Sequence, residues 1–265
     1  QLFTLPVTIK AGNKIIYTGN VNRSKQNLQT YVDYVDLLMG TGNSRWMFKP
    51  GPSLPLSMVQ IAPDNQDETW KAGYEYTVDN IMGFSHFSDW TMCGLLTMPA
   101  SGKLQVNPGT EKDPDGGYRS RIDKKSESAL IGKYSVFMTD TRIKAEITST
   151  RRASLQRYTF PALDSARILV DLFTPNEYPH NLKDAKITKV TGNEIEGFAT
   201  YYNAFTGYSL EQLYTVHFVM QFSKSFQSMG GWVNDKVKPV TGYIGEWNRT
   251  HEFESEPVIT NDIST

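Results

Sequence analysis

Apolar and polar residues alternate with a period of two along much of the chain. In Ile143–Ser149, Ile143, Ala145 and Ile147 fall on one face and Lys144, Glu146 and Thr148 on the other, the pattern of a half-buried strand. Lys133–Met138 and residues 157–160 and 166–173 read as strands too. Residues 186–190 and 194–199 flank Gly192-Asn193, which predicts a hairpin. Residues 214–222 are apolar enough to predict a long strand buried on both faces. One stretch has helical spacing: Leu28, Val32, Val35 and Met39 share a face, with Gly40 placed as a C-cap. The same stretch could equally be extended. Gly and Pro punctuate the runs, and no long repeat is visible. The pattern predicts an all-β chain, most simply a large antiparallel β-sandwich.

Composition narrows the class. Hydrophobic residues make up 39% and charged residues 21% of the 265 positions, so the chain can build a core and is not disordered by composition. With 27 basic and 28 acidic residues the net charge is −1, which gives no footprint for nucleic acid or an anionic membrane. No apolar run is long enough to span a bilayer. Cys93 stands alone, so neither an intrachain disulfide nor a CxxC zinc pattern can form. The chain opens Gln1-Leu2-Phe3 without Met, which suggests a leader already removed. Its tail from residue 252 is polar and turn-rich, without a closing strand or helix, which suggests that the native chain continues. Aromatics reach 12%; strand preference and sugar-stacking surfaces both account for that.

Familiar catalytic signatures are absent: there is no HExxH, GxSxG, Walker loop or GxGxxG. The four histidines, His86, His180, His217 and His251, have no ligand-type spacing. Asp113-Pro114-Asp115-Gly116-Gly117 resembles the start of a calcium loop, but its twelfth position is Lys124 rather than Glu, so it reads as a surface turn. Asp64-Asn65-Gln66-Asp67-Glu68 reads as a solvated acidic loop, with oxygen ligation of a hard cation as the other possibility. His217 reads as a hydrogen-bonded core or face histidine. Arg151 and Arg152 read as surface charges, or as ligands for a carboxylate or a domain interface. Residues 83–90, Gly-Phe-Ser-His-Phe-Ser-Asp-Trp, gather His, Asp, Trp and small residues in a non-periodic stretch, a composition suited to a site loop.

An ordered set of segments then resembles the N-terminal half of glycoside hydrolase family 92. Asp36-Leu37-Leu38-Met39-Gly40-Thr41-Gly42 is similar to the family's D-P-F-I-G-T element. Lys49-Pro50-Gly51-Pro52 through Pro55-Leu56-Ser57-Met58-Val59 to Pro63-Asp64 is similar to F-P-G-A-x-x-P-F-G-M-V-x-x-S-P-D. Gly73-Tyr74 with Gly83-Phe84-Ser85-His86 matches G-Y … G-F-S-H, and Gly94-Leu95-Leu96 to Pro99 resembles the strand that follows. Lys144-Ala145-Glu146-Ile147-Thr148 and Arg157-Tyr158-Thr159-Phe160-Pro161 are similar to K-A-E-L-T and H-R-Y-T-F-P. Tyr214-Thr215-Val216-His217-Phe218 and Gly230-Gly231-Trp232 extend the likeness.

The resemblance implies a division into a lead-in, residues 1–32, and a family 92 N-terminal β-sandwich domain, residues 33–265, truncated at its C-terminal end. The implied sandwich is of the supersandwich, galactose-mutarotase-like type and lacks the C-terminal (α/α)6 barrel on which it packs in the family. The implied activity is that of a secreted or periplasmic, cell-surface exo-α-mannosidase that is calcium-dependent and inverts the anomeric carbon. Its substrates would be α-mannosides and N-glycans. An inverting pair of carboxylates stands far enough apart to admit water; in the family both belong to the barrel, as does most of the Ca²⁺ site. No catalytic residue and no metal ligand is therefore assigned to this chain, which is expected to be inactive alone. Its expected substrate contacts are His86, Trp90, Asp89 and Trp46: tryptophan faces stack on sugar C–H surfaces, and His and Asp bond hydroxyls. Each could instead hold the domain interface. Many members carry a second histidine in G-F-S-H-x-H-x-S-G where this chain has Ser88, a departure that bears on linkage, α-1,2 or otherwise. A stand-alone carbohydrate-binding module and a purely scaffolding half-domain are the competing functions.

Overall fold

The computed structural model describes residues 3–23, 30–42, 48–66, 73–88, 93–162, 165–172, 180–205, 210–233, 236–238, 242–244 and 260–264. The chain divides into two compact units, Gln1–Asp36 and Leu37–Thr265.

The first unit is a hairpin of β1 (Phe3–Ala11) and β2 (Lys14–Arg23). Its turn is Gly12-Asn13, with Gly12 at φ +61°, a left-handed backbone that Gly adopts without Cβ strain. Leu5 pairs with Val21 and Ile9 with Tyr17, so these four apolar residues share one face. The helical expectation for residues 28–39 shrinks here to a single 3-10 turn, Tyr31–Tyr34. Asp33 accepts the backbone N–H and hydroxyl of Thr30 and caps that turn at once. Val35 is already extended (φ −88°, ψ 118°), and Val32, Val35 and Met39 are exposed. An apolar stripe with nothing to bury it, rich in β-branched residues, does not sustain a helix. Gly40 does turn left-handed, at φ +82°.

In the second unit the strands β3 (Ala62–Asp64), β4 (Asn80–Ile81), β5 (Gly83–Ser88), β6 (Cys93–Ala100), β7 (Ser120–Arg121) and β8 (Ser128–Leu130) come first. There follow β9 (Lys133–Met138), β10 (Ile143–Ser149), β11 (Ser154–Thr159), β12 (Arg167–Asp171) and β13 (His180–Lys189). The last are β14 (Glu194–Phe205), β15 (Leu210–Gln221), β16 (Ser228–Val233), β17 (Lys236–Lys238), β18 (Gly242–Ile244) and β19 (Thr260–Ser264). They form a seven-stranded sheet, β17-β16-β19-β12-β6-β5-β3, and two four-stranded sheets, β11-β10-β9-β8 and β15-β14-β13-β18; β4 and β7 make a short pair. Every pairing among the described strands is antiparallel. The chain is an all-β antiparallel sandwich, as the alternation predicts.

The seven-stranded sheet packs against both smaller ones through two cores. Phe84, Leu96, Met98 and Leu169 meet Tyr134, Val136, Ile143, Ala145 and Ile147 in the first. Leu95, Ile168 and Val170 meet Leu182, Ala185, Ile187, Ile195, Ala199 and Tyr201 in the second. Fully burying each branched aliphatic side chain contributes about 1.5–3 kcal/mol. Tyr158 and Phe160 touch both cores, which ties β11 to the joint between them. Gly94 lets the second core close: a Cβ there would stand 2.6 Å from the Tyr201 hydroxyl, and that hydroxyl donates to Leu172 O at 2.5 Å.

Three expectations are corrected. The strand at 214–222 is not buried on both faces: it is part of β15, at the end of its sheet, and Val219 is 65% exposed. The stretch 83–90 is not a loop as far as Ser88, because Gly83–Ser88 is strand β5. The tail does carry a strand: β19 inserts between β12 and β16, with Ile263 opposite Ile168 and Met229. Thr260 and Ile263 are β-branched residues suited to a pleated surface.

Candidate functional site

The described residues enclose a cleft of about 1000 Å³ lined by residues 152–158 on one side, residues 216–224 on the other, and His86, Phe87, Leu95 and Thr97 among the rest. Its polar centre is built from neighbouring strands. His86 of β5 is half-buried, and its Nδ1 lies 2.6 Å from Leu95 O. A carbonyl can only accept, so Nδ1 carries the proton. Nε2 is then the acceptor, taking the Gln156 side-chain amide at 2.9 Å and the Ser154 hydroxyl at 2.9 Å. The amide orientation is fixed from its other end, where Gln156 Oε1 accepts the Thr97 hydroxyl at 2.7 Å and that of Tyr158. Desolvation pulls the imidazole pKa below its ordinary value, opposed by the bond to Leu95. His86 is thus a neutral imidazole whose two nitrogens are both engaged within the chain. Leu95, which supplies the carbonyl, is held at φ +54°, a left-handed backbone that strains a side-chain-bearing residue.

The walls are apolar and aromatic: Phe87, Tyr158, Phe160, Phe218 and Phe222. Phe87 sits edge-on to Tyr201 and Tyr214 at 6.5 and 6.4 Å, a favourable aromatic geometry. Arg152, Arg157 and Lys224 bring cations to the lining, and no Asp or Glu lines it. Hydrolysis of a glycosidic bond by a carboxylate pair has no candidate residues among that lining. The cleft can instead offer hydrogen bonds from hydroxyls and amides, apolar faces, and attraction for negative charge.

Of the expected substrate contacts, His86 lies in the cleft, whereas Trp46, Asp89 and Trp90 lie outside the described residues. Sequence reasoning passed over Thr97, Ser154 and Gln156, because no local motif marks a hydrogen-bond partner 70 positions away. His217 is exposed on β15, its ring 5.8 Å from that of Phe198. Arg151 and Arg152 are exposed; the Arg151 carbonyl accepts the N–H groups of Met58 and Val59.

The first three residues of the acidic run after Pro63 are not solvated as expected, while Asp67 and Glu68 lie outside the described residues. Asp64, Asn65 and Gln66 are buried, and the segment is organised around buried Arg119. The guanidinium donates to Asn65 O at 2.7 Å and Asn80 Oδ1 at 3.0 Å. Burial raises the Asp64 carboxyl to about 6, opposed chiefly by its hydrogen bond with Ser85. Nearby in the same core Tyr118 donates to Asp171 at 2.5 Å. Asp113–Gly117 is a surface turn, and Asp115 within it pairs with Arg121 at 2.7 Å. Among the described residues no three His, Cys, Asp or Glu side chains converge as metal ligands. No helix among them is long and apolar enough to cross a membrane.

Comparisons with known proteins agree on one lineage. The sequence profile of the glycosyl hydrolase family 92 N-terminal domain matches residues 34–258. A family 92 α-mannosidase of Bacteroides thetaiotaomicron, solved in complex with mannoimidazole, superposes with a TM-score of 0.72 at 29% identity, over 88% of this chain and 30% of that one. A family 92 inverting mannosidase of Bacteroides thetaiotaomicron VPI-5482 shares the fold at a TM-score of 0.59 and 19% identity, over 91% of this chain and 32% of that one. The chain therefore spans less than a third of the length of these solved relatives. Among curated proteins nothing matches.

Proposed function

We propose, from the premise that this chain belongs to glycoside hydrolase family 92 and carries its N-terminal domain, that it is the sandwich part of an exo-α-mannosidase. The enzyme acts on mannose-containing glycans such as N-glycans, inverts the anomeric carbon and is secreted or periplasmic. The observation that carries the reading is the family match across residues 34–258, supported by 29% identity to an α-mannosidase over 88% of the chain. Substrate contacts come from the 83–90 segment and from Trp46. Trp90 and Trp46 supply stacking faces and Asp89 accepts from sugar hydroxyls. His86, with both nitrogens engaged, contributes its ring surface and holds the segment in place. The acid and the base belong to the remainder of the enzyme, and so does the calcium. No step through the ion is assigned to this chain. The linkage in this reading is α-1,2, with Ser88 as the position most apt to shift it.

The test is hydrolysis of α-linked mannobioses by the 265-residue chain and by the full-length gene product, each with calcium and with EDTA. Activity confined to the full-length protein and abolished by EDTA supports the reading and identifies the linkage. Activity in the 265-residue chain overturns the placement of the acid and base elsewhere. Glycan binding without hydrolysis in either form moves the assignment to a carbohydrate-binding module.

A further inference from the structure

A strand that borders a cavity with its face contributes alternate residues to the lining, because successive side chains point to opposite sides. A strand that borders it with its edge contributes consecutive ones. The cleft is lined by every residue from Arg152 to Tyr158 and every residue from Val216 to Lys224. It is therefore flanked by the edges of β11 and β15. Both are terminal strands of their sheets, and no described strand pairs with the outer edge of either.

From this geometry we propose that the cleft is a strand slot, filled in the complete protein by an extended segment of the polypeptide that its relatives possess beyond the part matched here. The inference rests on the family reading, in which this chain corresponds to 30% of a solved relative. Three further observations favour a strand over other occupants. The bordering strands carry exposed apolar residues: Leu155 is 68%, Leu213 67% and Val219 65% exposed. Leu95, Ile168 and Phe218 of the second core also reach the lining, so an inserted strand would complete that core. The charged groups of the lining are Arg152, Arg157 and Lys224, without a carboxylate, and this selects a segment with Asp or Glu at its outward positions. Strand addition supplies affinity through main-chain bonds and specificity through alternate side chains. The occupant thus alternates apolar residues facing Leu95 and Ile168 with acidic or neutral ones facing the arginines.

Hydrogen exchange of backbone amides tests the proposal on the 265-residue chain and the full-length gene product. The alternate amides of β11 and β15 that point away from β10 and β14 are expected to exchange roughly tenfold more slowly in the full-length protein, about the effect of one added backbone hydrogen bond each. The double charge reversal Arg152→Glu, Lys224→Glu is expected to remove most of that protection while leaving the melting temperature of the 265-residue chain unchanged. Equal exchange in both proteins overturns the proposal, as does protection already present in the shorter chain. Protection of the 265-residue chain by a mannose oligosaccharide overturns it in favour of a glycan site. Mannosidase activity is measured alongside. Protection without activity leaves the slot standing and removes the enzymatic reading, and activity without protection does the reverse.

Discussion

The Gln156 side-chain amide donates to Nε2 of His86 at 2.9 Å, joining β11 of one four-stranded sheet to β5 of the seven-stranded one. Gln156 Oε1 at the same time accepts two hydroxyls. Gln156→Ala leaves those partners to find water and is expected to cost about 2 kcal/mol, seen as a fall of about 5 °C in Tm. His86→Ala should cost a similar amount. An unchanged Tm in both variants would mean that the contact is dispensable.

Asp64 and His86 give stability opposite dependences on pH. The folded Asp64 carboxyl titrates near 6, above its ordinary value of 3.8, so burial favours its protonated form. Its contribution is complete below about pH 4 and is lost as pH rises through 6. The loss approaches about 3 kcal/mol, since a one-unit pKa difference between the folded and unfolded chain is worth about 1.4 kcal/mol. Asp64→Asn should remove this slope from chemical-denaturation stability between pH 4 and 6. His86 is depressed below 6.5, so its neutral form contributes fully above that value and the contribution falls away on acidification. His86→Gln should flatten that limb while Asp64→Asn leaves it intact.

Tyr118→Phe deletes the donor that Asp171 receives at 2.5 Å in a buried setting. An expected cost of about 1–3 kcal/mol follows from withdrawing a hydrogen bond from a buried carboxylate. Urea melts read it directly. Asp171→Asn in the Tyr118→Phe background should then be less harmful than either change predicts alone, since the two residues share one contact.

Gly51 stands in the segment that resembles the family's F-P-G-A element, and the reason for glycine is close approach. A Cβ there would lie 1.9 Å from Ile61 O and 2.8 Å from Ala62 Cα. Gly51→Ala must push the 50–52 segment off the 61–62 backbone, an overpacking expected to cost about 1–3 kcal/mol. Gly132→Ala, with nothing within 4 Å of the added atom but φ +79°, isolates backbone strain and should cost about 1 kcal/mol. Equal Tm losses in the two variants would remove the steric explanation.

In the full-length enzyme, Trp90→Ala and Asp89→Ala should each lower kcat/KM on mannobiosides at least tenfold, about the worth of one good hydrogen bond or stacked face, with Tm of the 265-residue chain unchanged. Trp46→Ala should act mainly on KM. A loss of Tm with no change in kinetics would place these residues in the domain interface instead.

What the sequence disclosed was local. Lys133–Met138 and Ile143–Ser149 appear as strands with the predicted limits, because one buried face and one wet face write themselves as alternation. The all-β class followed from such runs, and the family from the order of its motifs. What depends on distant partners was not legible. The residues around Asp64 looked solvated because Arg119, the group that makes their burial tolerable, is 54 positions from Asn65. The stretch from 214 looked like a central strand because apolarity does not reveal whether a neighbour is present on both sides. Gln156 looked like any polar strand residue, since its meaning lies in His86.

The outer edges of β11 and β15, which no described strand pairs, also bear on how the 265-residue chain behaves at high concentration. Unpaired edges are templates for association between copies, and like charges at Arg152 and Lys224 in the lining oppose the approach of two such edges. Salt shortens the reach of that repulsion from about 10 Å at 0.1 M to about 3 Å at 1 M. Light scattering should therefore find the chain monodisperse in dilute buffer and self-associating as sodium chloride rises, the reverse of aggregates held by ion pairs.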